Sequence, residues 1–155
     1  MKKIFVFLFF LFFMVMAESR VILNVSLDGC NSKGDFFVKH ILQNKTDAPK
    51  EFYRPAPVMS GYILDVRYFI YYDENNPKSP VYIVGSGVTD GSTIVIQPGE
   101  KIEMIGNLSS IASPLYEINK KYKLYVFWQY DFIAKDNYTS SSSGFFVVPK
   151  NCAGK

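Results

Sequence analysis

Two stretches decide the fold: "YILDVRYFIYYD" at residues 62–73 and "YKLYVFWQYDF" at residues 122–132. In both, side-chain character repeats every second residue. Tyr62, Leu64, Val66, Tyr68, Ile70 and Tyr72 fall on one side of the first, with Asp65, Arg67, Phe69 and Tyr71 on the other. In the second, Tyr122, Leu124, Val126, Trp128, Tyr130 and Phe132 oppose Lys123, Tyr125, Phe127, Gln129 and Asp131. Successive strand side chains point to opposite faces, so a period of two is the mark of a half-buried strand.

Outward from these, "VILNVSLD" at 21–28 alternates with Val21, Leu23, Val25 and Leu27 inward. Aromatic and β-branched enrichment predicts further strands at 35–43, 80–85, 92–97, 101–106 and 144–149. No segment repeats apolar residues at helical spacing, so no helix is expected. "NSKG", "NKTDAP", "DENNPKSP", "TDG" and "QPGE" supply turn residues between the strands, and "GSGVTDG" at 85–91 reads as a hairpin turn. "KEFYRPAPVMSG" at 50–61 reads as an irregular crossover, because Pro55 and Pro57 cannot donate to a central ladder. "SSSSG" at 140–144 reads as a flexible turn before the last strand. About seven to eight strands on short turns predict an all-β protein, an immunoglobulin-like antiparallel sandwich. A closed antiparallel barrel is the second choice.

The chain starts with Lys2 and Lys3, runs apolar from Ile4 to Met16, and reaches Ala17. A basic start, a short apolar run and a small residue at its end describe a secretory signal peptide. That run falls short of the roughly 20 residues that span a bilayer, so no stable membrane anchor is expected after cleavage. The expected organisation is a signal over 1–17 and one β-sandwich domain over 18–155, exported to a periplasm or the extracellular space. Removing Lys2 and Lys3 takes the 17 basic residues to 15 against 14 acidic ones, a balance of +1. Nothing in that balance attracts nucleic acid.

Cys30 and Cys152 are the two cysteines. A lipid anchor would follow the apolar run directly, whereas "ESRVILNVSLDG" intervenes. A zinc site needs about four close ligands, and the single His40 cannot complete one with two distant cysteines. A thiol nucleophile needs a base, and no signature surrounds either cysteine. In an exported chain the pair is expected to be a disulfide.

"LQNKT" ending a strand, then the Pro-rich segment, "IVIQPGEKIEM" and "YKLYVFWQY" occur in an order that resembles bacterial immunoglobulin-like domains. In outline this is similar to the bacillar intracellular proteinase inhibitor domain, over roughly residues 35 to 149. The resemblance implies a sandwich. The signal and the cysteine pair depart from that family.

Catalytic signatures are missing: the sequence holds no HExxH, GxSxG or Walker A motif. His40 lies in "DFFVKHILQN", where both faces are apolar, and is expected to be a core or edge residue. Asp73–Glu74 and Glu100 with Glu103 lie near turns and read as solvated charges. "NVS", "NKT", "NLS" and "NYT" place Asn-x-Ser/Thr sequons at Asn24, Asn44, Asn107 and Asn137, read as chance occurrences. No catalytic residue, metal ligand or cofactor is predicted.

If strands 62–72 and 121–132 are neighbours, their even faces form core. Their odd faces then gather Phe69, Tyr71, Tyr125 and Phe127, rimmed by Arg67 and Lys123 with Gln129 and Asp131. Clustered exposed aromatics with a polar rim suit a protein partner, and a carbohydrate is the alternative. The opposing expectation is that residues 74–91 fold over this face. A secreted, non-catalytic protein-binding module of inhibitor, immunity or assembly-factor type is the function expected. A carbohydrate- or small-ligand-binding β-domain is second, and an enzyme with an unrecognised site third.

Overall fold

β1 (Val21–Cys30) and β2 (Phe36–Asn44) form a long antiparallel hairpin, and β9 (Lys101–Asn107) pairs with the far side of β2. The computed structural model describes residues 19–55, 57–58, 61–62, 65–72, 82–84, 89–111 and 114–152; the expected signal segment lies outside them. A second antiparallel sheet has β10 (Leu124–Ile133) between β11 (Thr139–Val148) and β6 (Val66–Tyr71), with β7 (Tyr82–Val84) beyond β6. Two antiparallel ribbons complete the strands: β3 (Lys50–Pro55) with β8 (Thr89–Ile96), and β4 (Pro57–Val58) with β5 (Gly61–Tyr62).

The core follows from the alternation. Val21, Leu23 and Val25 of β1 and Phe36, Val38 and Leu42 of β2 are buried. They join one cluster with Val66, Tyr68 and Ile70 of β6 and Leu124, Val126, Trp128, Tyr130 and Phe132 of β10. Each such side chain contributes on the order of 1.5–3 kcal/mol by leaving water. His40 of β2 also faces inward, and its Nε2 lies 2.5 Å from the Tyr68 hydroxyl of β6, so one hydrogen bond crosses the core.

Among the described residues the sheets do not close into a barrel, which removes the second choice. β1 lies along β11 without a shared main-chain ladder. Side chains of the β10–β11 hairpin bridge the seam instead. The N–H groups of Val21 and Leu23 donate to the Tyr138 hydroxyl (3.2 Å) and Ser142 Oγ (3.0 Å), and Ser140 Oγ donates to the Val21 carbonyl (2.8 Å). These bonds satisfy edge groups that would otherwise invite another strand.

The serine run is therefore part of β11, where Ser140 and Ser142 seal the seam, rather than a flexible turn. The segment read as irregular contains β3 and β4. Pro55 is tolerated because it ends β3 at a register shift in a two-stranded ribbon, where every strand is an edge. β7 and β8 pair with β6 and β3, not with each other; residues 85–88 between them lie outside the described residues. Tyr122, expected inward, is exposed before β10 begins and rests against Tyr72 (ring centroids 5.1 Å apart).

Two helices were also not anticipated: α1 (Leu108–Ile111) and α2 (Pro114–Lys121). Leu115 and Asn119 of α2 are buried, while Glu117, Lys120 and Lys121 are exposed. Proline suits the first helical position and lysines the last turn, where they complement the helix dipole.

Asn44 shows why one sequon is structural. It is fully buried, and its amide donates to the Ala48 and Ile96 carbonyls, both at 2.9 Å. Its Oδ1 accepts from Thr46 N–H (2.9 Å) and Oγ1 (2.7 Å). Nearby, Pro98–Gly99 forms the centre of a tight turn in which the Glu100 N–H donates to the Gln97 carbonyl (3.0 Å). Gly99 takes φ 80°, which a type II turn demands of its third residue.

Cys30 and Cys152 are joined, with Cα atoms 5.7 Å apart and 122 residues of separation. Closing so long a loop stabilises by about 5 kcal/mol in the chain-entropy account.

Candidate binding face

Burial of the even residues of β10 forces its odd residues outward, and the same holds for β6. The register then sets which outward residues meet. Tyr125 lies opposite Tyr71, Phe127 opposite Phe69, and Gln129 opposite Arg67. On its other side β10 sets Phe127 opposite Phe145 and Tyr125 opposite Val147 of β11. Two adjacent rows result, one of Phe69, Phe127 and Phe145, the other of Tyr71, Tyr125 and Val147.

The rings touch. Tyr71 meets Phe127 edge to face, with centroids 5.6 Å apart and planes at 85°. Phe127 and Phe145 lie 5.8 Å apart at 31°. Phe127 remains 47% exposed and Phe145 65%, while Phe69, Tyr71 and Tyr125 are half-buried. Pairing stabilises such rings by about 0.5–1.5 kcal/mol, yet leaves the two phenylalanines in water, where apolar surface is unfavourable.

The surroundings are polar. Arg67 and Asp131 form an ion pair beyond the aromatic rows, both about half exposed, so it fixes orientation more than it adds stability. Lys123 donates to the Tyr125 hydroxyl (3.2 Å), with Nζ 5.2 Å from that ring's centroid. Beside the ion pair, Ser143 and Ser141 of β11 lie opposite Gln129 and Asp131 and are exposed, and beyond it Ile133 is exposed.

The structure thus brings Phe69, Tyr71, Tyr125, Phe127, Arg67 and Lys123 onto one sheet face and adds two residues that sequence reasoning missed, Phe145 and Val147. "GFFVVP" carried the signal: placed antiparallel to β10, its odd residues must share the odd face of that strand. β7 joins the edge of this sheet beside β6 and so extends it rather than covering it. Of the rest of the stretch expected to fold over the face, 74–81 and 85–88 lie outside the described residues and 89–91 begin β8.

His40 is remote from this face. Burial pushes its pKa down from 6.5 to about 4, with the main chain of Met104 acting the other way, so it is neutral at pH 7. Burial likewise holds the Tyr68 phenol well above its ordinary value. Among the described residues no three His, Cys, Asp or Glu side chains cluster as metal ligands would, and no helix is long and apolar enough to cross a membrane.

No protein-family model matches the sequence, and no curated protein matches it. Among solved structures the chain is similar to the Northeast Structural Genomics Consortium target SoR45, at 12% identity and a TM-score of 0.41, over 88% of this chain and 90% of that one. It is also similar to the archaellum periplasmic stator protein complex of FlaF and FlaG from Sulfolobus acidocaldarius, at 14% identity and a TM-score of 0.29, covering 77% and 87%. At these values neither likeness transfers a function.

Proposed function

We propose that the protein is an exported, non-catalytic protein-binding module of inhibitor, immunity or assembly-factor type, built on an immunoglobulin-like sandwich. Its binding surface is the outer face of the sheet formed by β11, β10, β6 and β7. One observation carries this reading: Phe127 and Phe145 sit side by side, about half and two-thirds exposed, within an aromatic cluster spread over three strands. Aromatic anchors inside a polar rim provide most of the energy in protein interfaces. Export is supported by the basic, then apolar, start of the sequence and by the cysteine pair.

A carbohydrate is the weaker reading. The adjacent Phe127 and Phe145 rings, tilted by 31°, favour it, but Tyr71 stands nearly perpendicular to Phe127, which breaks up a flat stacking platform.

The test is a Tyr71→Ala/Phe127→Ala double variant. Partner recovery from the native host, quantified by mass spectrometry against the parent, should fall at least about tenfold, as expected when anchors worth roughly 1.4 kcal/mol or more are lost. The melting temperature should fall by only a few degrees, the loss of ring pairing, since both rings lie outside the buried core. A double variant that unfolds, or one that recovers its partners undiminished, refutes the reading.

A further inference from the structure

α2 holds both halves of the disulfide by contacts that involve no sulfur atom. Asn119 is 2% exposed. Its amide donates to the carbonyls of Pro149 (2.9 Å) and Tyr122 (3.3 Å), and its Oδ1 accepts the Cys152 N–H (2.9 Å). The Asn119 main-chain carbonyl accepts the Asn151 N–H (2.8 Å). Three bonds therefore dock residues 149–152 on this helix. A buried asparagine side chain spent entirely on main-chain groups has a positional role.

The other half rests on the same helix. Beyond Cys30, Asn31 orders the loop. Its Oδ1 accepts from the N–H groups of Lys33 (2.9 Å) and Asp35 (3.0 Å), and its main-chain carbonyl accepts the Gly34 N–H (3.0 Å). Gly34 sits so close to the Tyr116 ring of α2 that a Cβ there would lie 2.3 Å from a ring carbon, and its φ of 85° also favours glycine. One short helix thus receives the loop after Cys30 on Tyr116 and the segment bearing Cys152 on Asn119.

We propose that α2 is a template for oxidation. The domain folds with its cysteines reduced, Asn119 holds Cys152 against Cys30, and the disulfide then locks a structure already formed. The oxidant is a low-molecular-weight disulfide. One protein thiolate attacks it, forming a mixed disulfide and releasing one small thiolate. The second protein thiolate then displaces the other small thiolate, forming the Cys30–Cys152 bond. Both cysteines are oxidised, the small disulfide is reduced to two thiols, and the two protein protons leave with them.

The test titrates the full exported chain in buffers of oxidised and reduced glutathione, with near-ultraviolet circular dichroism of the reduced form. The reduced parent should keep its tertiary signal and unfold cooperatively. Asn119→Ala should lower the equilibrium constant for closing the disulfide at least about tenfold, the scale of roughly 1.4 kcal/mol of lost docking. In a Cys30→Ala variant, iodoacetamide should alkylate Cys152 at least about a hundredfold more slowly than in denaturing urea, because the fold alone shields the thiol. That arm leaves Asn119 intact, so it decides the matter if Asn119→Ala does not fold. An unfolded reduced parent, a closing constant within about twofold of the parent's, or a Cys152 that reacts as fast as in urea would each overturn the template.

Discussion

Between pH 7 and pH 5, acid should destabilise this fold chiefly through His40. The folded state holds its pKa near 4, against 6.5 in an exposed chain, because the ring is buried between the sheets beside Tyr68. The folded pKa is the lower one, so the unfolded chain takes up the proton first. This contribution to stability is complete above about pH 6.5 and is lost as pH falls towards 4. The difference of about 2.5 units sets the full loss at about 3 kcal/mol, of which about 2 kcal/mol is gone by pH 5. His40→Gln keeps a neutral hydrogen-bonding group beside Tyr68 but cannot take up the proton. Urea unfolding of both proteins at pH 7 and pH 5 isolates the effect. Glu51 and Asp136, whose pKa values are lowered by Lys135 and Lys50 respectively, are common to both chains and cancel. The parent should lose about 2 kcal/mol over this interval and the variant under about 0.5 kcal/mol. Parallel losses in the two proteins would refute the assignment.

Two further substitutions probe packing and hydrogen bonding, both by urea unfolding. Gly144→Ala places a Cβ 2.8 Å from the buried Trp128 ring, and should cost about 1–3 kcal/mol as the ring is displaced; a neutral result would mean the indole does not rest on Gly144. Asn44→Ala removes the side-chain donor to the Ile96 carbonyl and the acceptor of the Thr46 N–H, while the Ala48 carbonyl keeps Thr46 Oγ1 (2.8 Å). It should cost about 2–4 kcal/mol, which a change under about 0.5 kcal/mol would contradict.

How much of this was legible follows from the reach of the physical signal. The pairing of β6 with β10 was expected only from the strand order of an immunoglobulin-like sandwich, whereas the even and odd faces of both are set by local alternation and could be read from the residues. The inward direction of His40 could not. Phe36, Val38, His40, Leu42 and Asn44 share its face, but the other face of β2 carries Phe37 and Ile41, so hydrophobicity does not separate them. Pairing with β1 and β9 decides it. β3 was hidden by proline, which is forbidden in a central strand but acceptable in a ribbon. The serines of β11 lack apolar alternation because their task is to hydrogen-bond the edge of β1. α2 spans only eight residues, too short for a helical period to stand out. Phe145 was missed because its face follows from the register across the hairpin and not from its own neighbours.

The claim that the outer face of this sheet receives a protein partner is tested most directly by photocrosslinking in the native host. A benzophenone amino acid is placed at Phe127, and in a second protein at Tyr53, which is 55% exposed on β3, outside the proposed face. Position 127 should give a discrete, heavier protein adduct and position 53 none. No adduct at 127, or the same adducts from both positions, would contradict that claim.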